Sequence, residues 1–399
     1  MGLDSNGSLL TFISYICFVW YVFMFSLSLL GQYIGQKRYR HKPRPKSSKL
    51  SATEAEGVSI IRPLKGIDLE LERNLQSSFI QNYPKFELIF SVASSEDPAI
   101  PIIEKLMEIH SHVDCKLIIG DLKVGINPKI NNIIKSYKLA KYDIIWVLDS
   151  NVQIDKDALG RSVDALKQTN IGLVHHLPIA LHPTSLAAEI EHIFLNTNHA
   201  KMYLAINAVG LASCVMGKSN LYRRSQLGSL EPFGQYMAED NHIGEKLWSQ
   251  HLRHAMTCDT ATQLLGSMSL REYVRRRERW VRIRKHTVTV ATWIEPITES
   301  VVCGWMGAFA MKTCFGISPG YFFMFHWIWW FLNDYFLYCT LVMTSSASTL
   351  SLPLWKFMRA WILREVLALP IYLFAMGGNE IIWREQRYMC TSNGSAIPI

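Results

Sequence analysis

The chain has no G-x-G-x-x-G and no G-x-x-x-x-G-K-[ST] segment, which leaves a dinucleotide fold and a P-loop unsupported. Cysteine is present but without pattern. Cys17, Cys115, Cys214, Cys258, Cys303, Cys314, Cys339 and Cys390 form no C-x-x-C and no zinc spacing, and several lie in apolar runs. This is neither a disulfide framework nor a cysteine metal site, and it suits a domain facing a reducing compartment. Acidic charge is in deficit: 33 Asp and Glu face 41 Lys and Arg, a net charge of +8. Such a surface fits an anionic leaflet, a phosphorylated substrate or nucleic acid. What the 399 residues have in excess is apolar, with 49% hydrophobic content and a slightly positive mean hydropathy. That is too apolar for an ordinary soluble enzyme and too polar for spans alone. One globular domain plus a few membrane segments is expected.

Leu9–Leu30 carries no charge and has about the twenty residues that a spanning helix needs. It is too long for a signal-peptide core, and no small-residue cleavage site follows. Lys37, Arg38, Arg40, Lys42, Arg44, Lys46 and Lys49 come next, which places that flank in the cytosol and the N-terminus in the lumen. Residues 1–35 are expected to form a signal anchor. Residues 36–56, with Pro43, Pro45 and the Ser-rich Ser47–Thr53, read as a basic linker. Three apolar segments fall within 299–378: Val301–Met311, stopped by Lys312; Tyr321–Met343, carrying Asp334; and Phe357–Met376, with Arg359, Arg364 and Glu365. Ionisable groups at membrane depth usually pair or line a site, and Asp334 with Arg364 is the expected pair. One anchor and three further crossings would put the C-terminal tail, residues 379–399, in the lumen. Sequons stand at Asn6-Gly7-Ser8 and Asn393-Gly394-Ser395, beside an apolar segment and near the chain end.

Between these segments, residues 57–290 alternate strand and helix patterns. Val58–Ile61, Phe86–Ala93, Lys116–Ile119, Ile144–Leu148 and Ile171–His175 read as strands. Leu69–Gln81, Ile100–His110, Ile130–Leu139, Ala158–Gln168 and Asn241–Gln250 read as helices. Leu186–Leu204 is mixed, and Ala205–Met216 fits a buried strand pair or a piece resting on the membrane. The alternation is that of a nucleotide-binding α/β domain. Its clearest strand is Ile144–Leu148, an unbroken apolar run that ends at Asp149. In open α/β sheets ligands lie at the carboxyl ends of the strands. An acid there can hold a divalent cation that holds a phosphate, although a cap on the next turn fits it equally.

Two further acids stand in comparable places. Asp97 follows the Phe86–Ala93 strand, and Asp240 sits just ahead of a helix, where an acid pair is commonly a cap. Lys123 and Lys129 flank a Gly/Pro/Asn loop. Leu270–Lys285 carries Arg271, Arg275, Arg276, Arg277, Arg279, Arg282 and Arg284 with Tyr273, Trp280 and Ile283 interleaved. It fits a basic interfacial helix on anionic lipid and, on another face, a diphosphate site. Three acids and an arginine cluster on a membrane-held cytosolic domain suggest sugar transfer from a nucleotide diphosphate. The leaving diphosphate needs cationic neutralisation, and the acceptor hydroxyl needs a carboxylate to take its proton. A lipid acceptor would explain the membrane attachment.

Over nearly its whole length the chain resembles the ceramide glucosyltransferases, family 21 of the glycosyltransferases, which are related to the inverting enzymes of GT-A fold. The matching segments are RPLKG at Arg62–Gly66, EDPAI at Glu96–Ile100, KVGINPKINN at Lys123–Asn132, AKYDIIWVLDS at Ala140–Ser150, LVHHLP at Leu173–Pro178, QYMAED at Gln235–Asp240 and RRERW at Arg276–Trp280. Their order and spacing carry the resemblance. It implies a GT-A-like, Rossmann-like α/β catalytic domain with an N-terminal transmembrane anchor and C-terminal membrane helices. It implies transfer of glucose from UDP-glucose to the primary hydroxyl of ceramide with inversion. Asp240 is the implied general base; Asp97, Asp149, Lys123 and Arg276 are implied at the donor; Arg279, Trp280 and His199 are implied at the diphosphate and acceptor side. His199 read by itself fits a packed residue. A divalent cation, Mn2+ or Mg2+, is implied at Asp149, but Asp149-Ser150-Asn151 departs from the related Asp-x-Asp and offers one carboxylate. The implied partners are UDP-glucose, ceramide and a membrane, with no nucleic acid, and the implied location is the Golgi with the domain facing the cytosol. A processive polysaccharide synthase and a non-catalytic membrane scaffold are the alternatives.

Overall fold

Ile144–Leu148 (β4) is buried along its whole length, because an unbroken run of Ile, Ile, Trp, Val and Leu can be satisfied only between two apolar layers. The computed structural model describes residues 5–343, 351–383, 386–391 and 394–399. Around β4 stands a seven-stranded sheet in the order β3-β2-β1-β4-β6-β5-β7. Its members are β1 (Val58–Leu64), β2 (Phe86–Val92), β3 (Cys115–Ile119), β5 (Ile171–Pro183), β6 (Ser219–Arg223) and β7 (Arg253–Gly266). Strands β3, β2, β1 and β4 are mutually parallel; β6 runs against both β4 and β5. The chain order reverses at the β1/β4 seam. That seam is where an open α/β sheet forms its ligand crevice.

Helices α2 (Leu71–Phe79), α3 (Ile100–Ile109), α4 (Pro128–Leu139), α5 (Ala158–Leu166), α8 (Arg224–Leu227) and α9 (Glu239–Ser249) follow or face the strands. One core, built on Leu88, Phe90, Trp146 and Leu159, lies on one side of the sheet. A second, built on Ile89, Ile133, Ile145 and Phe233, lies on the other. The sequence expectations hold for β1–β4 within a few residues. They fail in four places. β5 runs on from His175 to Pro183, β6 and β7 are missing from the sequence expectations, and Ala205–Met216 is not a strand pair. Instead Leu186–Phe194 (α6), a π turn at Leu195–His199 and Ala200–Val209 (α7) form a nearly continuous helix, and a loop then leads to β6. β6 and β7 read as SNLYR and RHAMTCDTATQLLG, too polar to register as apolar runs. They are stabilised by apolar neighbours rather than by their own pattern.

The expected anchor falls in α1 (Ser5–Tyr39), and among the described residues one helix, Ser8–Tyr39, is by length and composition long and apolar enough to cross a membrane. Helices α10 (Leu270–Thr287) and α11 (Thr289–Thr298) lead to α12 (Ser300–Phe315) and α13 (Pro319–Met343), and α14 (Leu354–Met376) follows. α12 and α13 form an antiparallel hairpin against α1: Ser14 meets Cys314, Tyr21 meets His326, and Asn333 Nδ2 donates to Ser28 Oγ at 2.8 Å. α14 instead runs along α10 and α6, with Tyr372 bonded to Thr292 O at 2.9 Å and Arg359 paired with Glu189 at 2.5 Å. The basic linker is no loose tether. Arg161 of α5 donates to Pro43 O at 3.1 Å, Lys42 pairs with Asp155 at 3.1 Å, and Ser47 donates to Gly160 O at 2.8 Å. Carbonyls and hydroxyls of the segment find partners on α5, so it is strapped to the domain. Asn6 lies in α1, and Asn393 lies outside the described residues.

The C-terminal tail forms a three-stranded antiparallel sheet, β8 (Glu380–Trp383), β9 (Gln386–Cys390) and β10 (Ala396–Pro398). Ile381, Tyr388, Cys390 and Ala396 bury Met237, which lies three residues before Asp240. A tail packed on that segment stands on the same side as the α/β domain, so the three crossings expected to place tail and domain on opposite sides do not hold. The expected Asp334–Arg364 pair is also wrong. Asp334 pairs with Lys201 at 2.7 Å, both fully buried, and accepts from Trp361 Nε1 at 2.9 Å. Arg364 is taken by Glu299 at 2.7 Å and Glu365 at 2.5 Å. Helical position left either acid open to Arg364, and the fold decided by bringing α7 against α13. Asp334→Ala strands the Lys201 ammonium and is expected to cost about 3–5 kcal/mol. Thermal unfolding of detergent-solubilised protein checks this, with the double variant Lys201→Met/Asp334→Leu recovering most of the loss.

Candidate active site

The site starts where β4 stops. Arg62, fully buried in β1, donates to Ser150 O at 3.1 Å and Val152 O at 3.0 Å, which fixes the turn that carries Asp149. Ser150 Oγ donates to Asp68, and Asn151 Oδ1 accepts from Lys218 Nζ at 3.0 Å. Both oxygens of Asp149 are held by ammonium groups, Lys129 at 2.8 Å and Lys218 at 3.1 Å. Burial by itself would push this carboxyl up, but the two lysines more than offset it and leave it below the usual carboxylate range. Lys129 also pairs with Glu239 at 3.1 Å and donates to Gly217 O at 3.0 Å. Burial opposes its charge, yet Asp149 and Glu239 hold its pKa above the ordinary lysine range.

Asn127 ties this cluster to the start of α9. Its Oδ1 caps α4 at Lys129 N, 2.8 Å, while its Nδ2 donates to Glu239 at 2.8 Å and to Tyr236 O at 2.7 Å. The loop carrying Gly125 passes so close to Gly234 that a Cβ there would lie 2.1 Å from Gly234 O. Only glycine allows that approach. The N-cap of α9 is Ala238, which has no side-chain oxygen, and Glu239 faces Lys129 and Asn127. Asp240 stands beside Gly217, where an added Cβ would meet its carboxyl at 3.2 Å. Burial first, then the neighbouring Glu239, raises the Asp240 pKa to about 7 against the pull of Lys129. The acid is thus poised between its two protonation states at neutral pH.

A second group lies on α10, α6 and the π turn. Arg276 Nε is 2.8 Å from the fully buried Glu191, which also receives Arg277 at 3.2 Å. Both guanidiniums lie over Trp280, with Arg277 at 4.1 Å and Arg276 at 5.4 Å from the ring. His199 is 6.1 Å from Trp280 and stacks on Tyr203 at 5.6 Å. Burial, then Arg277, Arg284 and Arg276, depress the His199 pKa to about 3, so the imidazole is neutral, and its Nδ1 is buried without a hydrogen bond. The two groups meet electrostatically. Arg276 helps to depress Lys218, and Asp240 acts on Tyr203.

Asp149 and Asp240 are therefore brought together through Lys129 and Glu239, and Arg276, Trp280 and His199 form the adjoining wall. Asp97 stands one strand away at the end of β2, accepting from Gly66 N at 3.0 Å and Ala99 N at 2.9 Å, with Gly66 at a φ of +71° that favours glycine. Lys123 is exposed, and Lys129 is the lysine of that loop that reaches Asp149. Arg279 lines a cavity of about 230 Å³ with Arg275, Arg282, Ile381 and Arg387, between α10 and β8. Sequence reasoning missed Lys218, Glu239, Asn127 and Glu191. Of these, Glu239 carried a signal as one half of the acid pair, and Asn127 as part of the Lys123–Asn132 segment and directly before the proline that opens α4.

As arranged, these residues do not fit a divalent cation. Asp149 is the one acid of its loop, both of its oxygens are engaged by ammonium, and among the described residues no group of three or more His, Cys, Asp or Glu side chains forms a candidate cation site.

Residues 20–396 match Glycosyl transferase family 21. The chain belongs to that family. A ceramide glucosyltransferase of Komagataella phaffii is 37% identical over 97% of this chain and 92% of its own. One of Candida albicans is 33% identical over 82% and 85%, and ceramide glucosyltransferase 3 of Caenorhabditis elegans is 30% identical over 97% and 83%. Among solved structures, a mannosyltransferase from Pyrobaculum calidifontis in complex with GDP-Man and Mn2+ overlaps 83% of this chain and 98% of its own, at 16% identity and a TM-score of 0.47.

A family member with this site has a pH signature in its stability. The Asp240 pKa of about 7 lies above its unfolded value, so the folded state binds the proton more tightly. This contribution is fully present below the unfolded carboxylate pKa and is lost as pH rises through about 7. Asp240→Asn removes the dependence. Its thermal midpoint is expected to exceed that of the unsubstituted protein at pH 8 and to converge with it near pH 4. Parallel unfolding curves across that range check the sign.

Proposed function

We propose that the protein transfers glucose from UDP-glucose to the primary hydroxyl of ceramide, giving glucosylceramide and UDP. The observation that carries the reading is the chain of ion pairs Lys218–Asp149–Lys129–Glu239, which brings the Asp240 segment against the carboxyl end of β4 in a family 21 chain. The ceramide hydroxyl gives its proton to the Asp240 carboxylate as its oxygen bonds to the anomeric carbon. The bond from that carbon to the diphosphate breaks on the opposite face, and UDP leaves with the electron pair. One displacement inverts the α-linked donor to a β-glucoside. Lys129, Lys218 and Arg276 supply fixed positive charge for the diphosphate, and no step is routed through a metal. Asp97 serves the uridine side. His199, neutral and packed against Trp280, serves the acceptor side with Arg279 and Trp280.

The outer faces of α1, α12 and α13 support membrane residence. Phe12, Val19, Phe23, Trp305, Tyr321 and Phe325 are all more than half exposed, apolar side chains suited to lipid. α1 with the α12–α13 hairpin crosses the bilayer, α14 lies along the domain, and both the domain and the C-terminus face the cytosol, in the Golgi.

Incubating membranes with several UDP-sugars and ceramide, followed by lipid mass spectrometry, tests the reaction. A hexosylceramide formed from UDP-glucose supports it; a polymer, or no transfer at all, overturns it. Asp240→Asn is expected to abolish transfer and leave UDP binding within about threefold, whereas Asp149→Ala weakens donor binding by about tenfold or more, the loss of one buried charge pair. Near-normal turnover of Asp240→Asn would remove it as base, and unchanged donor affinity in Asp149→Ala would remove that acid from the donor site.

A further inference from the structure

The sheet β8–β10 adds nothing to the main sheet, yet it packs where the chemistry is placed. Met237 is buried by Ile381, Tyr388, Cys390 and Ala396, with Ile126 and Ile283 at the edge of the cluster. Tyr236 makes an antiparallel bridge to Ser395. The sheet is also braced by the arginine helix: Arg282 donates to Glu380 O at 2.5 Å, and Lys285 donates to Asn379 Oδ1 at 3.0 Å and Met376 O at 3.0 Å. Gly394 fits against Thr287 and His242, where a Cβ would lie 3.2 Å and 3.6 Å away. A sheet of three short strands is marginal without a partner, so its order depends on these contacts. The segment Gln235–Asp240 is held from within by Asn127, through Tyr236 O and Glu239, and from outside by this sheet.

Resting on the reading of Asp240 as base, we propose that the C-terminal sheet is a positioning element of the active site, with Tyr388 and Ile381 holding Met237 so that Asp240 is presented to the acceptor hydroxyl. The sheet joins the segment that carries the base to the helix that carries Arg276 and Trp280, so one element sets the spacing between the two walls. Tyr388 acts through packing. Among the described residues its hydroxyl bonds within its own strand, to Gln386 Oε1 at 2.7 Å, and its ring is buried. Glu239 on α9 and Lys129 on α4 act on Asp240, which in turn acts on Tyr203 of α7 and Cys214 in the following loop. Loosening the segment admits water to this carboxyl and lowers the burial that keeps it protonated near neutrality.

The test uses the full chain in nanodiscs with Tyr388→Ala, Tyr388→Phe and the milder Ile381→Ala. Tyr388→Ala is expected to lower kcat by roughly 10- to 100-fold, as about an ångström of misplacement does. Its donor KM should stay within about threefold, and its acid limb of activity should move to lower pH. Hydrogen exchange of residues 235–240 should rise. Ile381→Ala should shift in the same direction by less, and Tyr388→Phe should match the unsubstituted protein. Unchanged kcat and pH limb in Tyr388→Ala with faster exchange at 235–240 would overturn the positioning role, as would equal losses in donor binding and turnover in Ile381→Ala. An active Asp240→Asn control would instead overturn the base assignment, which separates the two failures.

Discussion

One largely buried ammonium ties together the loops at the β1/β4 seam. Lys129 touches Asp149 after β4, Glu239 at the start of α9 and the carbonyl of Gly217 ahead of β6, so a single side chain fixes three loops from three parts of the chain. A lysine with one carboxylate in that position would be a poor bargain, because burying two charges costs several kcal/mol per ion before any attraction is counted. Here the cost is spread over a network in which each charge has two or more partners. Removing Asp149 takes the carboxylate from Lys218, and removing Lys129 takes the ammonium from Glu239. The arrangement fixes geometry more than it adds stability, as expected of a site that must hold a multiply charged ligand.

That dependence explains what was legible in the sequence. β4 and Asp149 could be read to the residue, since a run buried on both faces has no polar interruption and its end is abrupt. The three acids could be read because they sit where strands and helices begin or end. Their partners could not. Lys218 precedes a polar strand that shows no apolar run, and Glu191 lies in a helix whose inward face is recognised only once α10 is laid across it. Asp334 shows the same limit in reverse. Its need for a partner was evident from its apolar surroundings, but Lys201 comes 133 residues earlier, and only the docking of α7 on α13 selects it over Arg364.

The contacts outside the sheet are continuous with the site. The segment after α1 is strapped to α5 through Arg161, whose guanidinium also holds Asp259 on β7 at 2.6 Å. At the other end, Lys201 ties α7 to α13 two residues beyond His199. The domain is thus joined to the apolar helices on both flanks of the wall formed by Arg276, Trp280 and His199, and Gly31 of α1 leaves no room for a Cβ against Lys201 O. In the proposed reaction a lipid acceptor would meet the proposed base at a defined depth. Rigid joints at these two points set that depth more closely than a flexible linker could, because a free tether of similar length would let the domain sample a wide range of heights.

Asn151 completes the electrostatic argument. An Asp there would face Asp149 across Lys218 and turn the loop into two carboxylates against two lysines, a neutral patch. The amide keeps the hydrogen bond to Lys218 at 3.0 Å without adding charge, so Asp149, Lys129 and Lys218 together carry a net positive charge before Arg276 is counted. Glu239 pairs with Lys129, and Asp240, the proposed base, follows it at the start of α9. In the proposed reaction the positive charge of Lys129, Lys218 and Arg276 serves the leaving diphosphate, and the Asp240 carboxylate takes the proton. A field with that direction stabilises an in-line displacement from acceptor to leaving group and opposes its reverse polarity. The substitution that looked like a weakened metal ligand in the sequence is, in the fold, what keeps this polarity intact.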